Sequence, residues 1–375
     1  MKKFRKTKKL KSLKVIISGG GTGGHIYPAI SIANALKEIQ PDVQILFVGA
    51  LGRIEMEKVP AAGYEIIGLD IKGFNRSFSL ENILFPWKVL KSLWKAGSIL
   101  RKFKPDVAIG VGGYASGPLL FMAGLKNIPY IIQEQNSYAG VTNKLLSKKA
   151  SKICVAYDDM QRYFPAEKIL ITGNPVRSNL INVSDLRAKA LQEYDFDVNT
   201  KTIFVTGGSL GARTLNESIL KNLDLIEHSK IQLIWQTGKF YYSTIVENGQ
   251  NHFPKGVRIF EFISNMDMAY AAADVIISRA GAGTISELCL LKKAVILVPS
   301  PNVAEDHQTK NAKALLKHNA ALMVRDDEAR EKLIPMAIEL LKDDKKQQEL
   351  ANAIYSLGRP NAANEIAMEV MKLNK

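Results

Sequence analysis

Short runs of β-branched and other apolar residues alternate along the chain with longer stretches whose apolar positions recur at helical spacing. In the first half the runs include "LKVIIS", "VQILFVG", "DVAIGVG", "PYIIQE", "KICVAY" and "KILITG". A second series follows: "TIFVTGG", "IQLIWQTG", "VRIFEFI", "DVIISRAG" and "AVILVPS". Each is short, apolar on both faces and closed by Gly, Pro or a polar residue, the pattern of strands buried on both sides. Between them, segments such as 28–39, 214–223 and 306–317 read as helices. Strands alternating with helices predict an α/β chain of parallel sheets covered on both faces.

The two series end alike. The first strand of the first half enters "SGGGTGGH", and "TIFV" enters "TGGSLGAR"; later strands end in "GVGGYASGP" and "SRAGAGTISE". Two Rossmann-like, doubly wound domains, each with two glycine-rich turns at strand carboxyl ends, explain this repetition. Such sheets bind ligands at that edge, beside the point where strand order reverses. The punctuation in "ITGNPVRSNL" marks a linker, giving an N-terminal domain over 1–172 and a C-terminal one over 173–356. The segment 357–375, after "LGRPNAAN", is expected to return to the first domain.

Residues 19–24 contain five glycines in six positions, more than a tight turn needs. Glycines let a backbone approach phosphate closely, and the helix that follows offers unpaired N–H groups. Gly19-x-Gly21-x-x-Gly24 also fits the dinucleotide pattern. That reading needs an acidic residue at the end of the second strand, and "VQILFVGALGR" has none. His25 opens the following helix, where the positive helix end favours a neutral imidazole able to take a proton or bond a phosphate.

Composition narrows the partners. The chain has 375 residues, 46% hydrophobic and 23% charged, a globular balance with room for two cores. Cys154 and Cys289 stand far apart in apolar surroundings, which excludes a disulfide framework and suits a reducing compartment. The net charge is +15, and "MKKFRKTKKLKSLK" holds eight basic residues and no acidic one. An anionic partner is expected. No run is long enough for a membrane span or a signal-peptide core. The basic residues gather at one end and in one apolar segment rather than along a groove, so nucleic acid is not expected. The Asp195-Phe196-Asp197 triplet could suggest a metal, but it precedes a strand beside turn-forming Asn199. It reads as a solvated turn, and no metal or other cofactor is expected.

Seven motifs occur in order: "GGGTGGHIYPA", "GVGGYASGP", "QEQNSYAGVTNKLL", "GNPVR", "GGSLGAR", "RAGAGTISE" and "EDHQTKNA". Together they resemble the MurG family of bacterial peptidoglycan N-acetylglucosaminyltransferases, from about Leu13 to the C-terminus. The resemblance implies a GT-B fold, two Rossmann-like domains with an interdomain cleft. It implies an inverting transfer of N-acetylglucosamine from UDP-GlcNAc to the 4-hydroxyl of MurNAc in undecaprenyl-diphosphate-linked lipid I, forming lipid II. A GT-B enzyme acting on another lipid acceptor, such as diacylglycerol, is the alternative. The expected place is the cytoplasmic side of the inner membrane, bound peripherally to anionic lipids, with other cell-wall synthesis proteins as candidate partners.

By the same resemblance the second domain takes the donor. Ser209 with Gly208, Leu210 and Gly211 would meet its phosphates, Ile263 its uracil, and Arg177 would face it from the linker. Glu287 beside Thr284 would accept both ribose hydroxyls, although Thr284-x-x-Glu287 is equally a helix capping box. Gln308 would touch the sugar, next to His307, where some relatives carry a second glutamine. In the first domain Gly20, Gly21, Gly112, Gly113, Tyr114 and Ser116 would hold the acceptor diphosphate. Thr22 and Asn136, with Gly23 and Gly24, would also reach the donor. Some relatives place an acid within the segment matching "GALGRIEME", where this chain reads Gly52-Arg53. His25 is the first candidate base and Glu134 the second.

The stretch "ENILFPWKVLKSLWKAGSILRKFK" interleaves large apolar side chains with lysine and arginine. Ile83, Leu84, Phe85, Trp87 and Lys88 are expected at an exposed membrane-docking surface. From about Val89 the apolar side chains are expected to face the core.

Overall fold

The computed structural model describes residues 12–71, 85–176, 180, 183–246 and 253–374. The chain forms two compact units. One comprises Met1–Gln135, Ala139–Pro175 and Asn361–Lys375; the other comprises Asn136–Tyr138 and Val176–Pro360. The passages between them fall a few residues beyond the boundaries read from the sequence.

In the first unit seven parallel strands lie in the order β3-β2-β1-β4-β5-β6-β7. They are β1 (Lys14–Ser18), β2 (Gln44–Ala50), β3 (Glu65–Leu69), β4 (Val107–Gly110), β5 (Tyr130–Glu134), β6 (Lys152–Val155) and β7 (Ile169–Ile171). Alternation along β1 shows why both faces are covered. Val15 and Ile17 join one core cluster with Ile26, Ala29, Ala33 and Leu36 of the helix Gly23–Ile39. Ile16 joins the opposite cluster, with Leu119 and Leu120 of the helix Ser116–Leu125. The last helix, Ala362–Leu373, adds Ile366, Ala367 and Val370 to the first cluster. Strand β3 was not among the runs read as strands. Its "EIIGL" is broken by Gly68, where a Cβ would stand 2.3 Å from a Leu51 methyl.

The second unit holds six parallel strands in the order β10-β9-β8-β11-β12-β13. They are β8 (Thr202–Thr206), β9 (Gln232–Gln236), β10 (Val257–Phe260), β11 (Val275–Ser278), β12 (Ala294–Leu297) and β13 (Leu322–Met323). Order reverses between β1 and β4 in one sheet and between β8 and β11 in the other. Ser18 stands opposite Gly110, and Thr206 opposite Ser278, at those two points. All four glycine-rich turns therefore leave strands that flank a switch point, the place where such sheets hold ligands.

The helix Phe85–Phe103 departs from expectation. Ala96, Ile99 and Leu100 face the core, but Trp87, Leu90 and Trp94 are 71%, 59% and 73% exposed. It carries two apolar stripes, and the outer one continues past Val89. Ile83 and Leu84 lie outside the described residues, as does the side chain of Phe85. Among the described residues no helix is long and apolar enough to cross a membrane.

Candidate functional site

In the first unit the two glycine turns touch backbone to backbone. A Cβ on Gly113 (φ +87°) would lie 2.3 Å from the Gly20 carbonyl oxygen, so only glycine allows this approach. His25 sits against both turns. Its Nδ1 lies 3.0 Å from Gly20 O and 3.2 Å from Thr22 Oγ1. A carbonyl partner assigns the neutral ring's proton to Nδ1, so Nε2 carries the lone pair. That edge lies against Gly112, where an added Cβ would stand 2.9 Å from Nε2.

The other candidates in this unit divide by exposure. Tyr114, Thr22 and Gly24 are exposed, and Gly23 is half-buried. Ser116 is fully buried: its hydroxyl lies 2.7 Å from Gly112 O and 3.0 Å from Ser18 O. It thus ties the second turn to β1 instead of facing a ligand, which corrects its expected role. Glu134 is buried too, and its Oε2 accepts the Gly140 N–H at 3.0 Å and the Asn143 amide at 2.8 Å. These two donors fix the orientation of the buried carboxylate.

A residue that sequence reasoning passed over lies beneath the first turn. Glu55 is 0% exposed. It accepts the Gly21 N–H through Oε2 at 2.8 Å and the Ala50 N–H through Oε1 at 2.9 Å. The second strand therefore does have an acid at its end, brought back by the helix Glu55–Ala61. It faces two backbone amides, not a ribose. Gly21's N–H consequently points inward, which corrects its expected use as a phosphate donor.

In the second unit Gly208, Ser209 and Leu210 form an exposed rim after β8. The Gly208 N–H bonds Thr206 Oγ1 at 3.2 Å, and the Gly211 N–H bonds Gly208 O at 3.1 Å. These bonds use the Gly208 and Gly211 N–H groups inside the turn, while Ser209 and Leu210 are exposed on it. The helix Arg213–Lys221 follows. Ile263, expected at the base, donates its N–H to Gln236 Oε1 at 2.8 Å.

Glu287 lies in the helix Ala282–Leu288, whose N-cap is Gly281. Thr284 is already inside that helix, so the capping box does not form. Instead Tyr270, buried, donates its hydroxyl to Glu287 Oε2 at 3.2 Å. Gln308 Oε1 accepts the N–H groups of Ala280 at 3.2 Å and Ser300 at 2.9 Å, which fixes the amide's orientation. His307 opens the same helix, His307–Leu316, after two consecutive left-handed residues, Glu305 and Asp306. Asn136 Oδ1 accepts from the Asn311 amide at 3.2 Å. Asp195 pairs with Arg258 at 3.0 Å, while Asp197 Oδ1 accepts the Asn199 N–H at 2.8 Å in an Asx turn. Arg177 lies outside the described residues.

Residues 15–155 match the glycosyltransferase family 28 N-terminal domain, and residues 202–366 match the family 28 C-terminal domain. The chain belongs to glycosyltransferase family 28. Among family 28 relatives, one from Bacteroides fragilis is 56% identical over 365 residues, 96% of each chain. It is named UDP-N-acetylglucosamine–N-acetylmuramyl-(pentapeptide) pyrophosphoryl-undecaprenol N-acetylglucosamine transferase. A protein of the same name from Bacteroides thetaiotaomicron is 55% identical over 366 residues, 97% of this chain and 98% of its own. The crystal structure of Acinetobacter baumannii MurG superposes with a TM-score of 0.78 at 29% identity, covering 96% of this chain and 99% of that one. The two parallel-sheet units and this neighbour give the family 28 chain a GT-B type fold.

Proposed function

We infer that the chain transfers N-acetylglucosamine from UDP-GlcNAc to lipid I, forming lipid II for peptidoglycan. The observation that carries this reading is its 56% identity, across 96% of the chain, to a transferase named for those substrates. The four glycine turns at the two switch points support it.

In the proposed reaction the MurNAc 4-hydroxyl attacks the anomeric carbon, and His25 Nε2 takes its proton. The bond from that carbon to the UDP phosphate breaks with inversion, and UDP departs with the electron pair. Ser209's hydroxyl, the Leu210 N–H and the positive end of the helix Arg213–Lys221 meet the charge that develops there. Glu287 accepts the ribose hydroxyls, and Gln308, its oxygen held by two amides, turns its N–H₂ toward the sugar. Arg177, Thr284, His307, Thr22, Gly23, Gly24 and Asn136 complete the donor surroundings. Gly20, Gly112, Gly113 and Tyr114 receive the acceptor diphosphate. No metal takes part in this scheme, and activity in excess chelator tests that.

Lipid I is anchored in the bilayer, so the first unit must meet the cytoplasmic face of the inner membrane. Trp87, Leu90 and Trp94 provide apolar insertion, and Lys88, Arg101 and Lys102 attract anionic headgroups. The deciding assay offers UDP-GlcNAc with lipid I and then with diacylglycerol, and follows UDP release. Release with lipid I alone is expected; release only with diacylglycerol overturns the acceptor.

A further inference from the structure

Gln236 is the last residue of β9 and is 3% exposed. Its side chain reaches two different loops. The amide nitrogen lies 3.1 Å from Gly208 O and 3.0 Å from Thr206 Oγ1, on the turn after β8. The amide oxygen accepts the Ile263 N–H at 2.8 Å, in the loop after β10. A backbone N–H can only donate, so the oxygen must face Ile263 and the nitrogen must face Gly208. The carboxamide has one orientation here, and both ends are used.

The surrounding backbone makes β9 the platform for both loops. Lys239 donates its N–H to Ser209 O at 3.1 Å, and Gly238 donates to Glu261 O at 3.1 Å. A Cβ on Gly211 would stand 2.1 Å from Thr237 O, so the glycine turn rests directly on this strand end. Of these links, the Gln236 side chain is one that joins the two loops through a single rigid group.

We propose that Gln236 is a positioning residue that sets the phosphate-holding turn 207–211 and the base-facing loop 261–265 in register for a uracil nucleoside diphosphate. The proposal rests on the reading that this unit takes UDP-GlcNAc, and it deepens that reading by separating two arms of donor recognition. The nitrogen arm shapes the turn that meets phosphate. The oxygen arm fixes the backbone of the loop that meets the base. A group that acts this way changes affinity for the donor without touching the reacting atoms.

Two substitutions separate the arms. Gln236→Glu keeps an acceptor for Ile263 but turns an oxygen with no proton toward the Gly208 carbonyl. Gln236→Met keeps the length and loses both arms. Calorimetric titration with UDP and with uridine is the readout, beside KM and kcat. Gln236→Glu is expected to weaken UDP at least tenfold while uridine binding stays within threefold. Gln236→Met is expected to weaken both at least tenfold. For Gln236→Glu the KM for UDP-GlcNAc should rise in step, with kcat at saturation and the acceptor KM within twofold of wild type. UDP affinity within twofold of wild type in Gln236→Glu overturns the inference, and so does an equal loss of UDP and uridine in that variant. Gln236→Glu, nearly isosteric, keeps the test open if Gln236→Met does not fold. Wild-type protein that fails to bind UDP overturns the donor reading, and this inference with it. Normal wild-type binding beside unaltered variants overturns the inference alone.

Discussion

The Glu55 carboxylate accepts the Gly21 N–H at 2.8 Å from beneath the turn that Gly21 helps to form. Its second oxygen holds the Ala50 N–H at the end of β2, so one buried side chain pins the turn to the neighbouring strand. A Cβ on Gly20 would stand 2.1 Å from the carboxyl, which explains glycine there beyond its positive φ. Glu55→Ala takes this partner from the buried Ala50 N–H and the half-buried Gly21 N–H. Hydrogen bonds to charged groups contribute about 1.5–3 kcal/mol each, so a loss of about 2–4 kcal/mol is expected. Urea unfolding measures it, and the KM for lipid I should rise more than that for UDP-GlcNAc.

Glu287→Ala tests the donor site at the cost of the hydrogen bond from the buried Tyr270 hydroxyl. Its helix begins at Ala282 and is capped at Gly281, so removing Glu287 takes away no cap. Loss of two charge-assisted bonds to ribose, about 1.5–3 kcal/mol each, predicts a hundredfold or greater fall in UDP affinity, beside a modest fall in melting temperature from the lost Tyr270 bond. Tyr270→Phe should show a smaller loss of the same kind, because its hydroxyl only steadies the carboxylate. A lowered melting temperature with normal UDP binding would return Glu287 to a structural role.

How much of this was legible in the chain depends on what each residue signals alone. The turns after β1, β4, β8 and β11 were readable because glycine at that density has few purposes other than close backbone approach. Glu55 was not. It shares the polar run "GRIEME" with Glu57, yet one is fully buried and the other exposed, a difference made by the return of a short helix rather than by local pattern. Gln236 is hidden for the same reason, since its three partners, Thr206, Gly208 and Ile263, lie at the end of β8 and in the loops after β8 and β10. The helix Phe85–Phe103 misled differently. Its two apolar stripes have the same periodicity, and only packing decides that Ile99 goes in and Trp94 stays out.

His25→Ala should separate chemistry from donor binding. The imidazole is held by Gly20 O in the first unit, whereas Ser209 and Glu287 belong to the second. General-base contributions are typically about a hundredfold to ten-thousandfold. A fall of that size in kcat is expected, with UDP affinity by calorimetry within about threefold of wild type. A wild-type rate at saturating acceptor would remove His25 from the reaction.

Lys293 gives the fold a pH signature. Burial pushes its ammonium down to about 8, with the charge of Arg187 adding to the effect, while Nζ bonds Ala273 O at 2.7 Å. Below about pH 8 both folded and unfolded lysine hold the proton. Between there and the ordinary value of 10.5 only the unfolded chain holds it, so stability rises with pH across that window. The rise is on the order of 3 kcal/mol by linkage. Unfolding midpoints at pH 7.5 and about 9.5, compared with Lys293→Met, isolate it: the variant should lack the upward slope.

The outer stripe of the helix Phe85–Phe103 makes a direct claim about where the enzyme works. Trp87, Leu90 and Trp94 recur at helical spacing on one face and are all more than half exposed, whereas Ala96, Ile99 and Leu100 hold the helix to the core. Changing the first three to serine removes exposed apolar area without opening a cavity, so the fold should survive. The neighbouring helix Ser116–Leu125 adds exposed Phe121 and Leu125. Insertion of an aromatic stripe and attraction of its lysines to anionic headgroups reinforce each other, so removing either should weaken docking. The triple variant should leave vesicles containing anionic lipid by sedimentation. It should still turn over a short-chain, water-soluble acceptor at a near wild-type rate. Unchanged sedimentation with vesicles would place the docking surface on another face.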